Sequence, residues 1–375
     1  MTHLVALWIA LAAPTSSAPA RPRARDAGIP FLGTPGPLDA ITDVAGVEVG
    51  HTTLVSGQGK LRVGQGPVRT GVTAILPRGR RSLTEPVFAG WFAFNGNGEM
   101  TGTAWIDEGG LLDGPIMLTG THSVGVVRDA VIAWRVRQNV PSPDGYYWSL
   151  PVVAETWDGE LHDVNGFHVK ERHVFEALDH ARGGPVPEGS VGGGTGMICH
   201  EWKGGIGTAS RRVEGGFTVG ALVQCNYGLH EQLSLAGVPV GRLLARPTGG
   251  RERGSIVIVI ATDAPLLPHQ LKRVARRAAL GLARAGSLGG DGSGDLFIAF
   301  STANAQAASA SKATSAQLLP NALLDPIFAG AVLATEEAIA NALWAADTMT
   351  GADGHRAEAL PRDRARALVR RYAPP

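Results

Sequence analysis

The chain has 375 residues, 44% hydrophobic and 18% charged, which is enough apolar material for a large core and lies outside the range of disordered or fibrous chains. Its 34 basic and 33 acidic residues leave a net charge of +1, which argues against nucleic-acid or anionic-membrane binding, because both need a basic excess. The 51 glycines, about twice the usual share, carry no collagen period and so mark tight turns and close backbone approaches.

The chain begins with an apolar run, Leu4–Ala13, of signal-peptide length and too short to span a bilayer. Ala18-Pro19-Ala20 then offers a small-residue cleavage pattern ahead of the basic stretch Arg21–Arg25. Residues 1–20 therefore read as a signal peptide, which makes the product periplasmic or secreted. Met1-Thr2-His3 lacks the basic residue such leaders carry, so a misassigned start and a cytoplasmic protein stay open as the alternative.

From Gly28 to Pro77, β-branched runs alternate with Gly/Pro turns, and Ile41–Val49 and Thr70–Leu76 are expected strands. A further strand, Val87–Phe94, is broken by Asn95-Gly96-Asn97-Gly98. Ser123–Gln138 reads as a helix, since Val124, Val127, Ala130, Val131 and Trp134 recur at three- and four-residue steps. Leu150–Glu155 is a short apolar strand ending on a carboxylate, and a second helix spans Lys170–His180.

The densest glycine stretch, Gly189–Ser210, precedes a strand at Phe217–Asn226 and a charged turn at Arg251–Gly254. Ser255–Ala261 is the most β-prone run; it is apolar without alternation, as a strand covered on both faces would be. His269–Ala285 is an amphipathic helix with Leu271, Val274, Ala275, Ala278 and Leu282 on its buried stripe. Lys272, Arg273, Arg276, Arg277 and Arg284 crowd the other side, which reads as a solvated face. Gly286 ends that helix, and the loop Ser287–Asp295 leads to a strand at Leu296–Ser301. A long helix over Pro326–Ala346 is apolar almost all round and is expected to be buried. No segment after the leader reads as a membrane span. With no repeat and no linker, residues 21–375 read as a single α+β domain with helices outside stacked sheets.

Four sets of residues could carry chemistry. Gly192–Gly196 (GGGTG) would suit a phosphate, but neither a P-loop ending nor a dinucleotide spacing is completed, so a close-packed turn beside an active site is the better reading. His162, Asp163 and His168, or Cys199 and His200, do not fall at a zinc-enzyme spacing, so no metal and no cofactor are expected. The two cysteines, Cys199 and Cys225, exclude a disulfide framework; they form either one bridge in an exported protein or two small buried residues. Finally, Ser255 follows Gly254 at the head of the strongest strand. It either simply starts that strand or is a nucleophile. In the second case cleavage of the Gly254–Ser255 bond would free an α-amine that titrates near about 7.7–8.0 and serves as base for the adjacent hydroxyl.

The segments Gly193–Arg211, Ala261–Leu271 and Gly292–Asn304, with further matches at Gly114–Ala130 and Val152–Gly159, resemble the L-aminopeptidase/D-amidase/D-esterase family, which includes the β-peptidyl aminopeptidases. The resemblance covers about Gly28 to Tyr372. It implies a four-layer αββα sandwich of N-terminal-nucleophile type that cleaves itself between Gly254 and Ser255, giving chains 21–254 and 255–375. By the same resemblance, Ser255 is the nucleophile, Asn226 an oxyanion donor, Ser293 and Asp295 a pair orienting the nucleophile and its amine, and Glu155 the acid that receives the substrate's amino group. Trp157 stands where one branch of the family has an active-site tyrosine, which leaves its part in substrate binding and the branch open.

The expected activity is removal of the N-terminal residue from short peptides, amino-acid amides or esters, without a cofactor, by an oligomer of processed chains. Two alternatives stand beside it: an acyltransferase that passes the acyl group to an amine, and a non-catalytic small-molecule binding protein that kept the fold without processing.

Overall fold

Stacked hydrophobic sheets organise the chain, and the reason lies in strands whose two faces are both apolar. The computed structural model describes residues 23–139, 145–245, 254–308 and 312–373; the expected leader and Arg251 of the charged turn lie outside them. In chain order the elements are β1 (Glu48–Ser56), β2 (Val68–Arg80), β3 (Val87–Ala93), α1 (Thr103–Gly109), β4 (Leu111–Leu112), β5 (Ile116–Gly120), α2 (Val124–Arg137), β6 (Val152–Thr156) and α3 (Glu171–Asp179). They continue with β7 (Ile198–Cys199), β8 (Trp202–Lys203), β9 (Gly205–Arg212), β10 (Thr218–Asn226), α4 (Val240–Leu243), β11 (Ser255–Thr262), α5 (Pro268–Arg284) and β12 (Leu296–Ser301). The last are α6 (Ala305–Ala308), α7 (Asp325–Ala345), β13 (Met349–Thr350), β14 (Arg356–Ala357) and α8 (Arg362–Tyr372).

One sheet runs β1-β2-β5-β6 and the other β4-β3-β12-β11-β10-β9; neighbours are antiparallel except β5 with β6 and β11 with β12. Between the sheets, Ile75, Ile116 and Ala154 meet Leu222, Val257 and Ile298. On its outer face the smaller sheet packs Val72, Met117 and Val153 against α2 and α3 through Val131, Trp134 and Leu178. The larger sheet packs Ile256, Ile258 and Ile260 against α5 and α7 through Val274, Ala278 and Ala338. Successive β11 residues thus enter different cores, which explains a strand without alternation. At about 1.5–3 kcal/mol per buried aliphatic side chain, this strand anchors both layers. The result is the expected αββα sandwich. The strands after Gly254, β11 and β12, lie between strands that precede it, so the two portions of chain share one sheet.

The strand expected over Ile41–Val49 is a correction. Ile41–Asp43 is a 3-10 turn, and pairing begins only at Glu48. The Asp43 carboxylate closes the turn by accepting the Leu38 and Ala40 N–H groups and the Ser210 hydroxyl. The basic face of α5 is solvated as expected, and its charges find partners at the surface. Lys272 pairs with Asp107 at 2.8 Å and Arg284 with Glu336 at 2.5 Å, while Arg277 lies over the Phe328 ring and Arg276 over that of Phe92.

By length and composition α7 could cross a membrane, but here it is buried against β9, β10 and α5, and its Glu337 pairs with Arg25 and Arg211. Glycine-rich β9 went unrecognised as a strand. Its glycines serve close approach: a Cβ at Gly207 would lie 1.9 Å from the Ala338 carbonyl oxygen of α7.

Candidate active site

The antiparallel register of β10 and β11 sets Asn226, the last residue of one strand, directly opposite Ser255, the first of the other. Ser255 is 4% exposed, and its Oγ accepts the Gly294 N–H at 3.2 Å. Gly254 has φ +127°, and a Cβ there would lie 1.8 Å from the Asn226 carbonyl oxygen, so the residue before the serine must be glycine. Its own carbonyl also receives the Gly294 N–H, at 3.3 Å. The loop after Gly290 therefore lies against the Gly254–Ser255 bond.

That loop carries the acid. Ser293 Oγ donates to Asp295 Oδ1 at 2.6 Å, and the same oxygen accepts the Ile256 N–H at 3.2 Å. Asn95 completes the arrangement: its Oδ1 accepts the Asp295 N–H at 2.6 Å and its Nδ2 donates to Asp295 Oδ2 at 3.1 Å. The Asn95-Gly96-Asn97-Gly98 run is visible in the sequence as a strand break, but only the fold shows that it abuts Asp295.

The Asn226 side chain is held at both ends. Its Oδ1 accepts the Ile198 N–H at 2.7 Å, and its Nδ2 donates to the Trp157 carbonyl at 2.8 Å. Cys199, next to Ile198, and Cys225, next to Asn226 itself, form a disulfide. Behind them, the fully buried Lys203 ammonium donates to the Met197 and Gly204 carbonyls, both at 2.8 Å, and burial pushes its pKa down to about 7. It thereby braces the turn that presents Ile198.

Glu155 lies on β6 beside Thr119 of β5 and is almost wholly buried. Its Oε1 accepts the Glu99 N–H at 3.0 Å, and its Oε2 accepts the Thr121 hydroxyl. Burial pushes this carboxyl above its ordinary range, against the opposing pull of those two hydrogen bonds. Gly98 joins the two halves of the site: a Cβ there would sit 3.1 Å from Gly294 Cα and 3.4 Å from Glu155 Oε1. Thr121 and Glu99 escaped the sequence reading because neither residue type nor spacing marks a hydroxyl or a backbone amide as a carboxylate partner.

Trp157 enters the site through its carbonyl, while its half-exposed ring stands edge-on to His122 at 6.1 Å, and His122 stacks on Phe167. Its neighbour Asp158 is fully buried, donated to by Thr70 at 2.6 Å, and pushed up to about 7 by desolvation. Gly192–Gly194 form a buried 3-10 turn, and the space where side chains would stand is filled by Thr73, Gln224 and Ile206. An anion has no cradle there, in keeping with a close-packed turn. Among the described residues no three His, Cys, Asp or Glu side chains converge as a metal site would require.

The model of peptidase family S58 matches residues 39–357, which takes in Asn95, Glu155, Asn226, Ser255, Ser293 and Asp295. The chain belongs to peptidase family S58. This S58 peptidase is 54% identical to the beta-peptidyl aminopeptidase BapA of Sphingosinicella microcystinivorans, over 94% of this chain and 92% of that protein. It is 49% identical to the BapA of Sphingosinicella xenopeptidilytica, over 98% and 96%. Among solved structures, a Burkholderia beta-aminopeptidase superposes with a TM-score of 0.86 at 49% identity, covering 94% of this chain and 99% of that one. The L-aminopeptidase D-Ala-esterase/amidase of Ochrobactrum anthropi, described as a prototype for the serine aminopeptidases and a variant of the Ntn hydrolase fold, gives 0.86 at 47%, with the same coverage. The S58 peptidase therefore has the expected fold and is a hydrolase, which sets the non-catalytic alternative aside.

Proposed function

We propose that this S58 peptidase is a self-processing serine aminopeptidase with Ser255 as its N-terminal nucleophile. The observation that carries the reading is the meeting of Ser255, Asn226 and the Ser293–Asp295 pair at one strand end, with an obligatory glycine before the serine.

In maturation Ser255 Oγ attacks the Gly254 carbonyl carbon, the C–N bond breaks, and the acyl group passes from nitrogen to oxygen. Water then hydrolyses that ester, leaving a Gly254 carboxylate on chain 21–254 and a free Ser255 amine on chain 255–375. The amine titrates near about 7.7–8.0, close to working pH, and takes the hydroxyl proton in each later turnover. Asp295 holds the strand end through the Ile256 N–H and orients Ser293 beside it.

In turnover Ser255 Oγ attacks the carbonyl of the substrate's first residue. Asn226 uses its second Nδ2 hydrogen to stabilise the oxyanion, the leaving amine departs with a proton, and water releases the acyl group. Glu155 receives the substrate's ammonium. An ammonium at that place restores the ionised form that burial disfavours, so the pairing selects substrates with a free amine. The two relatives named beta-peptidyl aminopeptidase support a β-amino acid as the first residue, and Trp157 with His122 supplies an apolar wall beside it.

The protein is further proposed to be exported and to assemble as an oligomer of processed chain pairs. The Cys199–Cys225 bridge supports an oxidising compartment. Intact mass spectrometry under denaturing conditions tests the reading: two chains, the smaller running from Ser255 to Pro375, are expected, and a single uncut chain with hydrolytic activity would overturn it.

A further inference from the structure

Asp295 has two kinds of neighbour. Its Oδ1 faces the reaction, binding Ser293 Oγ and the Ile256 N–H. Its Oδ2 and its own N–H face away and are both engaged by one side chain, Asn95. An amide that donates and accepts at once fixes both the rotation of a carboxylate and the backbone that carries it. Asn95 extends this grip to the loop: its Nδ2 also reaches the Gly290 carbonyl at 3.4 Å, Asn97 Nδ2 donates to the Gly292 carbonyl at 2.8 Å, and the Phe94 N–H donates to the Asp295 carbonyl at 2.9 Å.

The opposite side of the same loop rests on Gly254. Gly254 bridges to Ser293, and its carbonyl accepts the Gly294 N–H. Scission after Gly254 frees that residue from β11 and makes these contacts dispensable, whereas everything supplied by Asn95 and Asn97 survives. In the uncut chain Gly254 helps to hold the loop; in the cut chain the Gly294 N–H to Ser255 Oγ and the Ile256 N–H to Asp295 remain, and the Asn95 side carries a larger share.

We infer that Asn95 is a positioning residue for turnover: by clamping Asp295 from behind, it keeps the carboxylate aimed at Ser293 and the Ser255–Ile256 strand end once Gly254 has been released. The inference rests on the proposed role of Ser255. It assigns Asn95 little part in maturation, because Gly254 still supports the loop at that stage.

Two variants test it, each scored for cleavage by intact mass and for hydrolysis of a short peptide carrying a free N-terminal β-amino acid. Asn95→Ala removes both hydrogen bonds to Asp295 and the longer one to Gly290, and is expected to be cut between Gly254 and Ser255 while kcat falls about tenfold or more, with KM nearly unchanged. Asn95→Asp keeps the acceptor for the Asp295 N–H but sets a second carboxyl against Oδ2. The two repel when both are ionised, and sharing one proton restores a donor. Its kcat relative to wild type is therefore expected to rise as pH falls, while the Asn95→Ala ratio stays flat.

Taking the ratio cancels titrations common to both proteins: Asp291 on the same loop, Glu99 and Glu155 across Gly98, and the Ser255 amine. Asn95→Ala activity within about twofold of wild type overturns the inference. So does an uncut Asn95→Ala chain, or an Asn95→Asp ratio as flat as that of alanine. Retained hydrolysis in a parallel Ser255→Ala protein would instead remove the proposed nucleophile, and so separates failure of that reading from failure of this one.

Discussion

Ser255 and Asn226 form the terminal register pair of the β10–β11 ladder, so the proposed nucleophile and the proposed oxyanion donor are spaced by backbone hydrogen bonding rather than by a loop. Such a scaffold tolerates little error, since a slip of one residue in either strand would turn that strand's side chain to the opposite face of the sheet. The same pairing makes each contribution separable by substitution.

Ser255→Ala is expected to remain one chain and to lose hydrolysis, because it lacks both the attacking oxygen for its own Gly254 carbonyl and the nucleophile for substrate. Denaturing mass spectrometry beside a turnover assay reads both effects, and a cut or active variant would sink the mechanism.

Asn226→Leu removes the amide that Ile198 and Trp157 hold in place. A loss of about 100–1,000-fold in kcat is expected, the scale seen when one oxyanion donor is deleted. Steady-state kinetics on a pre-cut preparation measures it, and a change confined to KM would assign Asn226 to ground-state binding.

Glu155→Gln retains the shape of the carboxylate and can still accept the Glu99 N–H, its NH2 donating to the Thr121 oxygen where the carboxylate accepts, but loses the charge that attracts an ammonium. KM for substrates with a free amine is expected to rise about tenfold or more. Preference for a free over an N-acetylated amine is expected to shrink in parallel. An unchanged preference would move the amine site elsewhere.

Asp158 predicts a pH effect on stability. Its folded carboxyl is held at about 7 against an ordinary 3.8. Between those values the unfolded chain gives up a proton that the folded chain keeps, so this group's contribution to stability is greatest below about 3.8 and declines as pH rises to about 7. Asp158→Asn, which cannot ionise, is expected to gain a few °C in Tm relative to wild type as pH is raised across that window. Calorimetry at several pH values follows it; a constant difference between the two proteins would mean that Asp158 is ionised throughout.

The disulfide joins two residues that both precede Gly254. Alkylation of the denatured protein is expected to label no thiol before reduction and two afterwards. The two chains are also expected to separate on a denaturing gel without reductant. Labelling of both cysteines in unreduced protein would overturn the pairing.

Local pattern alone located α2, α5, α7, β11 and β12, because a stripe at three- and four-residue steps, a helix-length apolar segment or a short unbroken apolar run is a local property of the chain. The buried stripe of α5, from Leu271 to Leu282, lies as that pattern requires. The motif resemblance singled out Ser255, Asn226, Ser293, Asp295 and Glu155, and the fold gathers the first four at one strand end.

What stayed hidden depends on partners distant in sequence. The strand expected at Ile41–Val49 became a turn because Ser210 and the Asp43 carboxylate draw it closed. The glycines of β9 concealed a strand because their small size answers to other segments: Gly207 to α7, more than a hundred residues away, and Gly205 to the Gly189 and Gly194 backbone. Asn95 lies 200 residues from Asp295, and the choice between a bridge and two free thiols turned on the hydrogen bonds from Ile198 N–H to Asn226 Oδ1 and from His200 N–H to the Tyr227 carbonyl, which set Cys199 beside Cys225. A hydrophobic pattern reports how each segment meets a core; only the closed sandwich decides which polar atoms face one another, because hydrogen bonds across the fold are set by the relative placement of segments and not by the composition of any one of them.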